Sequence, residues 1–156
     1  MFRLNKLTDY GIVLMTSIAQ HPELQNARDL AAASQVPLPT VSKLLKELSH
    51  SGLLVSHRGS KGGYSLSRSP QQISVAEIIG ALEGPIGFTE CSVVAGSCDL
   101  EPSCLVRRNS KVISLALLGA LENLTLGDLM QPMELAGLKP RSNIVSTINL
   151  ISGGVQ

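Results

Sequence analysis

Three cysteines, Cys91, Cys98 and Cys104, lie close together in the second half of this 156-residue chain. Six and then five residues separate successive thiols, a spacing at which a flexible loop can bring soft thiolates to one iron or zinc centre. A structural zinc site normally has four protein ligands, and no histidine lies in this loop. The incomplete set therefore favours a sensor with one exchangeable position over a structural zinc site.

Other roles for the thiols are less well supported. The chain has no run of roughly 18 apolar residues and no signal-peptide pattern, so we expect a cytoplasmic protein with reduced thiols. An odd number of cysteines cannot form a closed set of disulfides. Polar neighbours such as Ser97 and Asp99 disfavour inert packing, and the lack of a C-x-x-C motif disfavours a thiol-redox enzyme or cluster carrier.

The first half of the chain predicts the order of a winged helix-turn-helix in a mainly α fold. Hydrophobic periodicity, capping residues and turn residues define its elements. We expect a helix from Thr8 to about Gln20, a short helix 27–34 capped by Asn26, a helix from Pro39 to about Ser51, strands 53–57 and 64–67, and a glycine-rich turn 59–63. The third helix should bury Val41, Leu44, Leu45 and Leu48.

This order predicts binding to double-stranded DNA, because an α-helix fits the major groove and a basic hairpin tip can reach the neighbouring groove. The residues expected at DNA are Leu38, Pro39, Thr40, Ser42, Lys43 and Lys46 on the recognition helix, and Arg58, Ser60 and Lys61 at the wing. The glycines of the wing would let its backbone approach the duplex. The alternative is an ordinary helical hairpin followed by a surface β-hairpin, with its cations merely solvated.

Charge is unevenly distributed along the chain. Residues 1–72 carry eight Lys and Arg against four acids, which gives +4, and residues 73–156 carry five against eight, which gives −3. Local positive charge is what contact with phosphate requires, although a difference of this size can also arise by chance. We therefore divide the chain into a DNA-binding module at 1–72, a linker helix, cysteine loop and dimerisation helix at 73–131, and a flexible tail at 132–156.

The second module is predicted to consist of helices on either side of the cysteines. Ser74 and Glu77 form a capping box for a helix 75–82, the cysteine loop spans about 87–104, and a long helix runs from Leu105 to about Leu124. Thr125 and Asp128 mark another helix start. The long helix is apolar over more than one face, which predicts contact with its own domain and with a second copy of the chain. A wholly internal core helix is the alternative.

Several separated motifs resemble the bacterial IscR/NsrR family of Rrf-type regulators, in the order in which that family carries them. They are Arg3-Leu4, Thr8-Asp9-Tyr10-Gly11, the wing from Arg58 through Tyr64 to Leu66, the stretch from Ser74 to Ile79, and the spaced cysteines. The resemblance covers about residues 2–130. Within the family the chain is most similar to regulators of the SUF iron-sulfur assembly system.

The resemblance implies a homodimer that binds near-palindromic operators and carries an iron-sulfur cluster, [2Fe-2S] or [4Fe-4S], ligated by Cys91, Cys98 and Cys104. Where IscR-like proteins have a histidine ligand, this chain has Arg107. NsrR-like proteins use an aspartate of the partner subunit, and Asp9 lies in the matching stretch. Asp9 is the implied fourth ligand, and its alternative role is a first-turn acid that favours the helix dipole.

Together these observations predict a transcription regulator rather than an enzyme. We expect a repressor that senses cluster status, oxygen or nitric oxide and controls iron-sulfur assembly genes. Gain or loss of the cluster would reorder the cysteine loop and change the spacing of the two recognition helices. A zinc-stabilised or cluster-free regulator, a zinc-bound interaction module and a thiol-redox protein are the competing hypotheses.

Overall fold

The computed structural model describes residues 4–133. Within this range the chain forms seven α-helices, two β-strands and two single-turn 3-10 helices. The α-helices are α1 (Lys6–Gln20), α2 (Ala27–Ser34), α3 (Leu38–His50), α4 (Val75–Glu83), α5 (Glu90–Val93), α6 (Arg107–Glu122) and α7 (Leu126–Leu129). The strands are β1 (Leu54–His57) and β2 (Gly63–Leu66), and the 3-10 helices are Pro70–Gln72 and Glu101–Ser103. The predicted mainly α winged-helix fold is confirmed, whereas nearly all of the predicted tail lies outside the described residues.

The core is built almost wholly from aliphatic side chains at helical spacing. Leu14 and Met15 of α1, Leu30 of α2 and Ile78 of α4 are fully buried and meet in one cluster. The predicted buried stripe of α3 is confirmed at every position: Val41, Leu44, Leu45 and Leu48. Because these residues recur every three to four positions, α3 has one buried side and leaves the other to solvent.

The start of the first helix was predicted wrongly. Asn5, not Thr8, caps α1, and the Asn5 side-chain oxygen accepts the Thr8 N–H at 2.9 Å. Asn is as good a capping residue as Thr, so the helix begins one turn earlier and Thr8 is buried within it. The other predicted caps are confirmed at Asn26, at Ser74 with Glu77, and at Thr125 with Asp128.

The wing is an antiparallel hairpin in which Leu54 pairs with Leu66 and His57 with Gly63. Its second strand also exchanges two backbone hydrogen bonds with Gln25, at 2.9 and 3.2 Å through Tyr64, which attaches the wing to the segment before α2. A Cβ at Gly63 would lie 2.8 Å from the Gln25 carbonyl oxygen. A glycine is therefore needed at position 63, because the backbones of β2 and Gln25 lie so close together within the protein.

The segment that carries the cysteines contains more structure than the predicted loop. It includes α5 and the 3-10 helix Glu101–Ser103, and the long helix begins at Arg107 rather than at Leu105. Leu105 is 98% exposed and has no packing partner to hold it in a helix. The cysteine segment contacts α6 through α5. Helix α4, which precedes the segment in the chain, also packs on α6.

Candidate functional site

The recognition helix α3 presents both polar and apolar side chains at its exposed start. Leu38, Pro39, Ser42, Lys43 and Lys46 are exposed. Thr40 is half-buried. The tight turn before α3 depends on a left-handed residue, Gln35, with φ of 58°. The predicted base-reading and phosphate-binding side chains are therefore available to a ligand on the side of α3 that faces away from the core.

Lys43 has an intrahelical partner in Glu47, with 3.9 Å between Lys43 Nζ and Glu47 Oε1. Both side chains are solvent-exposed and lie one helical turn apart, a pairing that is weak in water. The exposed lysine is therefore available to another anion at little cost.

The tip of the wing carries Arg58, Ser60 and Lys61, all exposed. Gly59 has φ of 119°, a conformation that side chains disfavour, and its carbonyl accepts the Gly62 N–H at 3.0 Å. The glycines thus form the turn that projects the two cations. That the recognition helix and this tip address one duplex stays a prediction.

The three cysteines are free thiols, each half-buried, on one segment beside α6. Cys91 lies in α5 with its Sγ 3.4 Å from Thr89 Oγ1, whereas Cys98 and Cys104 flank the 3-10 helix. Thiolates are suitable ligands for an iron-sulfur cluster. In residues 4–133, however, no three His, Cys, Asp or Glu side chains converge closely enough to hold a metal ion. Ligation by all three thiols therefore requires the segment to draw together.

Asp9, the implied fourth ligand, lies in the first turn of α1 and is exposed. Its backbone N–H donates to the Asn5 carbonyl at 3.1 Å. This position is open to a partner subunit and equally suits an acid that stabilises the helix N-terminus.

A chain of serine hydroxyls, which the sequence-based reasoning missed, attaches the cysteine segment to α6. Ser114 of α6 is buried; its Oγ accepts the Phe88 N–H at 2.8 Å and lies 2.7 Å from Ser92 Oγ. Ser92 follows Cys91 directly. The four-residue spacing of Ser110 and Ser114 places them on one face of α6, but their polarity gave no sign that this face is buried.

Glu101 was also missed. It is a buried carboxylate between Cys98 and Cys104, and it forms an ion pair with Arg107. The six-residue separation of an acid and a base did not predict the contact, because the intervening chain turns twice before α6 begins.

The outward side of α6 is apolar between Val112 and Ala120, after a polar first turn. Val112, Ile113 and Leu115 are exposed, together with Ala116 and Ala120. The inward side carries the buried serines Ser110 and Ser114. A wholly internal core helix, the alternative interpretation, would bury these aliphatic residues, and the structure exposes them.

No helix in residues 4–133 combines the length and the apolar character that crossing a bilayer would require.

The profile of the Rrf2 family, described as iron-dependent transcriptional regulator, matches residues 4–132. The chain is 30% identical over 145 residues to the HTH-type transcriptional regulator IscR of Vibrio cholerae serotype O1, a match that covers 91% of this chain and 83% of that protein. It is 29% identical to IscR of Cronobacter sakazakii, with coverage of 90% and 88%.

Solved structures give the same fold. CymR (YrzC), the global cysteine regulator of B. subtilis, superposes with a TM-score of 0.65 at 27% identity and covers 86% of this chain and all of that one. IscR of T. potens gives a TM-score of 0.65 at 25% identity, with coverage of 87% and 91%. The relatives are named as regulators of transcription and not as enzymes. With its recognition helix, wing and residues 4–132 all matched, the chain belongs to the Rrf2 family of DNA-binding transcriptional regulators.

Proposed function

We propose that this regulator is a homodimeric repressor of iron-sulfur assembly genes that senses the state of an iron-sulfur cluster held by Cys91, Cys98 and Cys104. The observation that carries the proposal is that all three thiols lie on one segment beside α6, and the outward side of this helix is apolar. A change in this segment would therefore reach α6 from its inward side, opposite the surface on which a second copy would pack.

The ligand set rests on donor chemistry. Three thiolates suit iron, and a bound cluster would supply reactivity toward oxygen or nitric oxide. Arg107 cannot complete the set, because a guanidinium is always protonated and has no lone pair to donate. Asp9 of a partner subunit is the proposed fourth ligand, supported by its exposure at the start of α1.

The dimer rests on the exposed side of α6. Ala116, Gly119 and Ala120 are small, and Val112 and Leu115 flank them, so two copies of α6 can approach closely with aliphatic contact. Two-fold symmetry would then set two recognition helices about 34 Å apart, one turn of DNA. An operator with two half-sites follows from this arrangement.

The proposed switch uses the connection between α4 and α6. If the cysteine segment drew together around a bound cluster, Ser92 and Phe88, which hydrogen-bond with Ser114, would carry the change to the inward side of α6. The outward side of the same helix forms the dimer contact. A two-state bias of a few kcal/mol at this helix would suffice to change operator affinity.

The test combines analysis of the cofactor with DNA binding. Anaerobically purified protein should be coloured and contain iron and sulfide, and the variant with all three cysteines replaced by serine should contain neither. Affinity for promoter fragments of iron-sulfur assembly genes, at matched salt, should change when a chelator strips the cluster from wild-type protein, and should not change for the serine variant. Equal affinity of both wild-type forms would refute the switch, and zinc without sulfide would favour the zinc-stabilised regulator.

The fourth ligand is tested separately by Asp9→Ala, with Asp29→Ala as a matched control. Asp29 is also an exposed first-turn acid, at the start of α2. Asp9→Ala should lose its cluster faster than wild type under air, whereas Asp29→Ala should retain it. Equal retention by both variants would exclude Asp9 and leave it the role of a helix-terminal charge.

A further inference from the structure

Glu101 is the acid buried in the cysteine segment, with only 6% of its surface exposed. Each of its carboxylate oxygens has a partner: Oε2 accepts the Gly96 N–H at 2.6 Å, and Oε1 lies 2.7 Å from Arg107 Nη2. A buried carboxylate without such partners would carry a large desolvation cost. The side chain therefore ties two points of the chain that are eleven residues apart.

The backbone around Glu101 joins it to both neighbouring thiols. Its N–H donates to the Cys98 carbonyl at 3.0 Å, and the Cys104 N–H reaches the Glu101 carbonyl at 3.5 Å. The Arg107 N–H donates to the Cys104 carbonyl at 3.3 Å. Cys98, Glu101, Cys104 and Arg107 thus follow one another at three-residue spacing with a hydrogen bond at each step. A displacement of Glu101 would move both cysteines.

Arg107 is the first residue of α6, so its ion pair fixes the segment to the start of that helix. Seven residues later, Ser114 holds the earlier part of the segment through Ser92, beside Cys91. The two attachments are about 10 Å apart along the helix axis, at 1.5 Å per residue. One serves Cys91, and the other serves Cys98 and Cys104.

We propose that Glu101 and Arg107 are positioning residues whose ion pair anchors Cys98 and Cys104 to the first turn of α6. The anchor keeps these two thiols in place in the cluster-free protein and supports them as ligands when a cluster is bound. The role of this ion pair in holding ligands rests on the proposed function, in which Cys98 and Cys104 bind the cofactor.

The anchor is tested by thiol reactivity in the reduced, cluster-free protein. Iodoacetamide labelling rates are measured for each cysteine by peptide mass spectrometry in wild type, Glu101→Gln and Arg107→Gln. Both variants should label Cys98 and Cys104 about fivefold faster, the factor expected for loss of an ion pair with one half-exposed partner, and should leave Cys91 unchanged. Arg107→Lys should restore part of the protection.

The two variants separate an effect of local charge on thiol reactivity from loosening of the cysteine segment. Loss of an acid favours the reactive thiolate and loss of a base disfavours it, so charge alone predicts opposite effects in the two variants. Asp99→Asn removes an exposed acid beside Cys98 and measures the size of that charge effect. Rates that change in opposite directions, or that do not change, would overturn the proposal. Should Glu101→Gln fail to fold, Arg107→Gln still decides, because Arg107 is 43% exposed.

Cluster retention gives the second readout. In cluster-loaded protein, both variants should lose visible absorbance under air faster than wild type and Asp99→Asn, and equal rates would count against the anchor. If wild-type protein binds no iron, the proposed function fails, and the labelling rates alone decide whether the ion pair holds the segment.

Discussion

The Arg68 guanidinium lies 2.8 Å from Glu77 Oε1, and this contact joins the end of the wing hairpin to the first turn of α4. The other oxygen of Glu77 accepts the Ser74 N–H at 2.9 Å, which completes the capping box. One carboxylate therefore caps the helix that leads toward the cysteine segment and attaches that helix to the DNA-binding half.

The stability of this junction should depend on pH. Burial raises the pKa of Glu77, but hydrogen bonds from Ser74 and the charge of Arg68 outweigh burial and hold the pKa below its ordinary value. A lowered pKa contributes stability above the ordinary glutamate range, and that stability is lost as the pH falls through the folded value. Between pH 7 and about 3, the urea midpoint should therefore fall less in Glu77→Gln than in wild type. Glu23 is an exposed acid and serves as the control. If Glu23→Gln reduced the fall of the urea midpoint with pH by the same amount, this assignment would be contradicted.

Gly63 should be intolerant of a side chain. In Gly63→Ala the new Cβ would press on the Gln25 backbone at 2.8 Å and push the wing from its attachment, at a cost of about 1 to 3 kcal/mol in the free energy of unfolding. Gly80→Ala is the control, because its Cβ meets nothing within 4 Å and lies in a helix. That variant should be more stable by about 0.5 to 1 kcal/mol. Free energies of unfolding are measured with denaturant. Similar values for Gly63→Ala and Gly80→Ala would show that the close contact between Gly63 and Gln25 does not restrict the side chain.

Lys43 and Lys61 should contribute to DNA affinity through phosphate. Replacing either by alanine should weaken binding to operator and random duplex alike, by about tenfold, and lower the salt slope by about one. Lys111→Ala, an exposed lysine on α6, should do neither. Fluorescence anisotropy at several salt concentrations measures both quantities. Loss on the operator alone would instead indicate base recognition.

The outward side of α6 should control the oligomeric state. Val112→Glu would bury two carboxylates at a symmetric contact and should weaken the dimer by about 100-fold or more. Leu24→Glu changes an equally exposed residue outside the helices, 39% exposed against 40%, and should leave the dimer intact. Sedimentation equilibrium distinguishes them. A dimer of unchanged stability in Val112→Glu would place the contact elsewhere.

Local signals in the sequence were sufficient for the order of elements and for the core of the DNA-binding half. The apolar period of α3, the cap at Asn26 and the box at Ser74 and Glu77 each act within one or two helical turns, so they are visible in neighbouring residues. Local signals did not fix the start of the first helix, because Asn5 and Thr8 are both good capping residues and lie only three positions apart.

The sequence by itself determined a winged helix with a basic recognition helix and wing, followed by clustered thiols and a helix apolar on more than one side. Only the tertiary structure decided that α6 turns its serines inward, that Glu101 is buried against Arg107, and that Gly63 meets Gln25. The physical reason is that burial and ion pairing depend on which segments meet after the chain turns. Composition and periodicity specify what each segment can bury, and packing decides against which partner it does so.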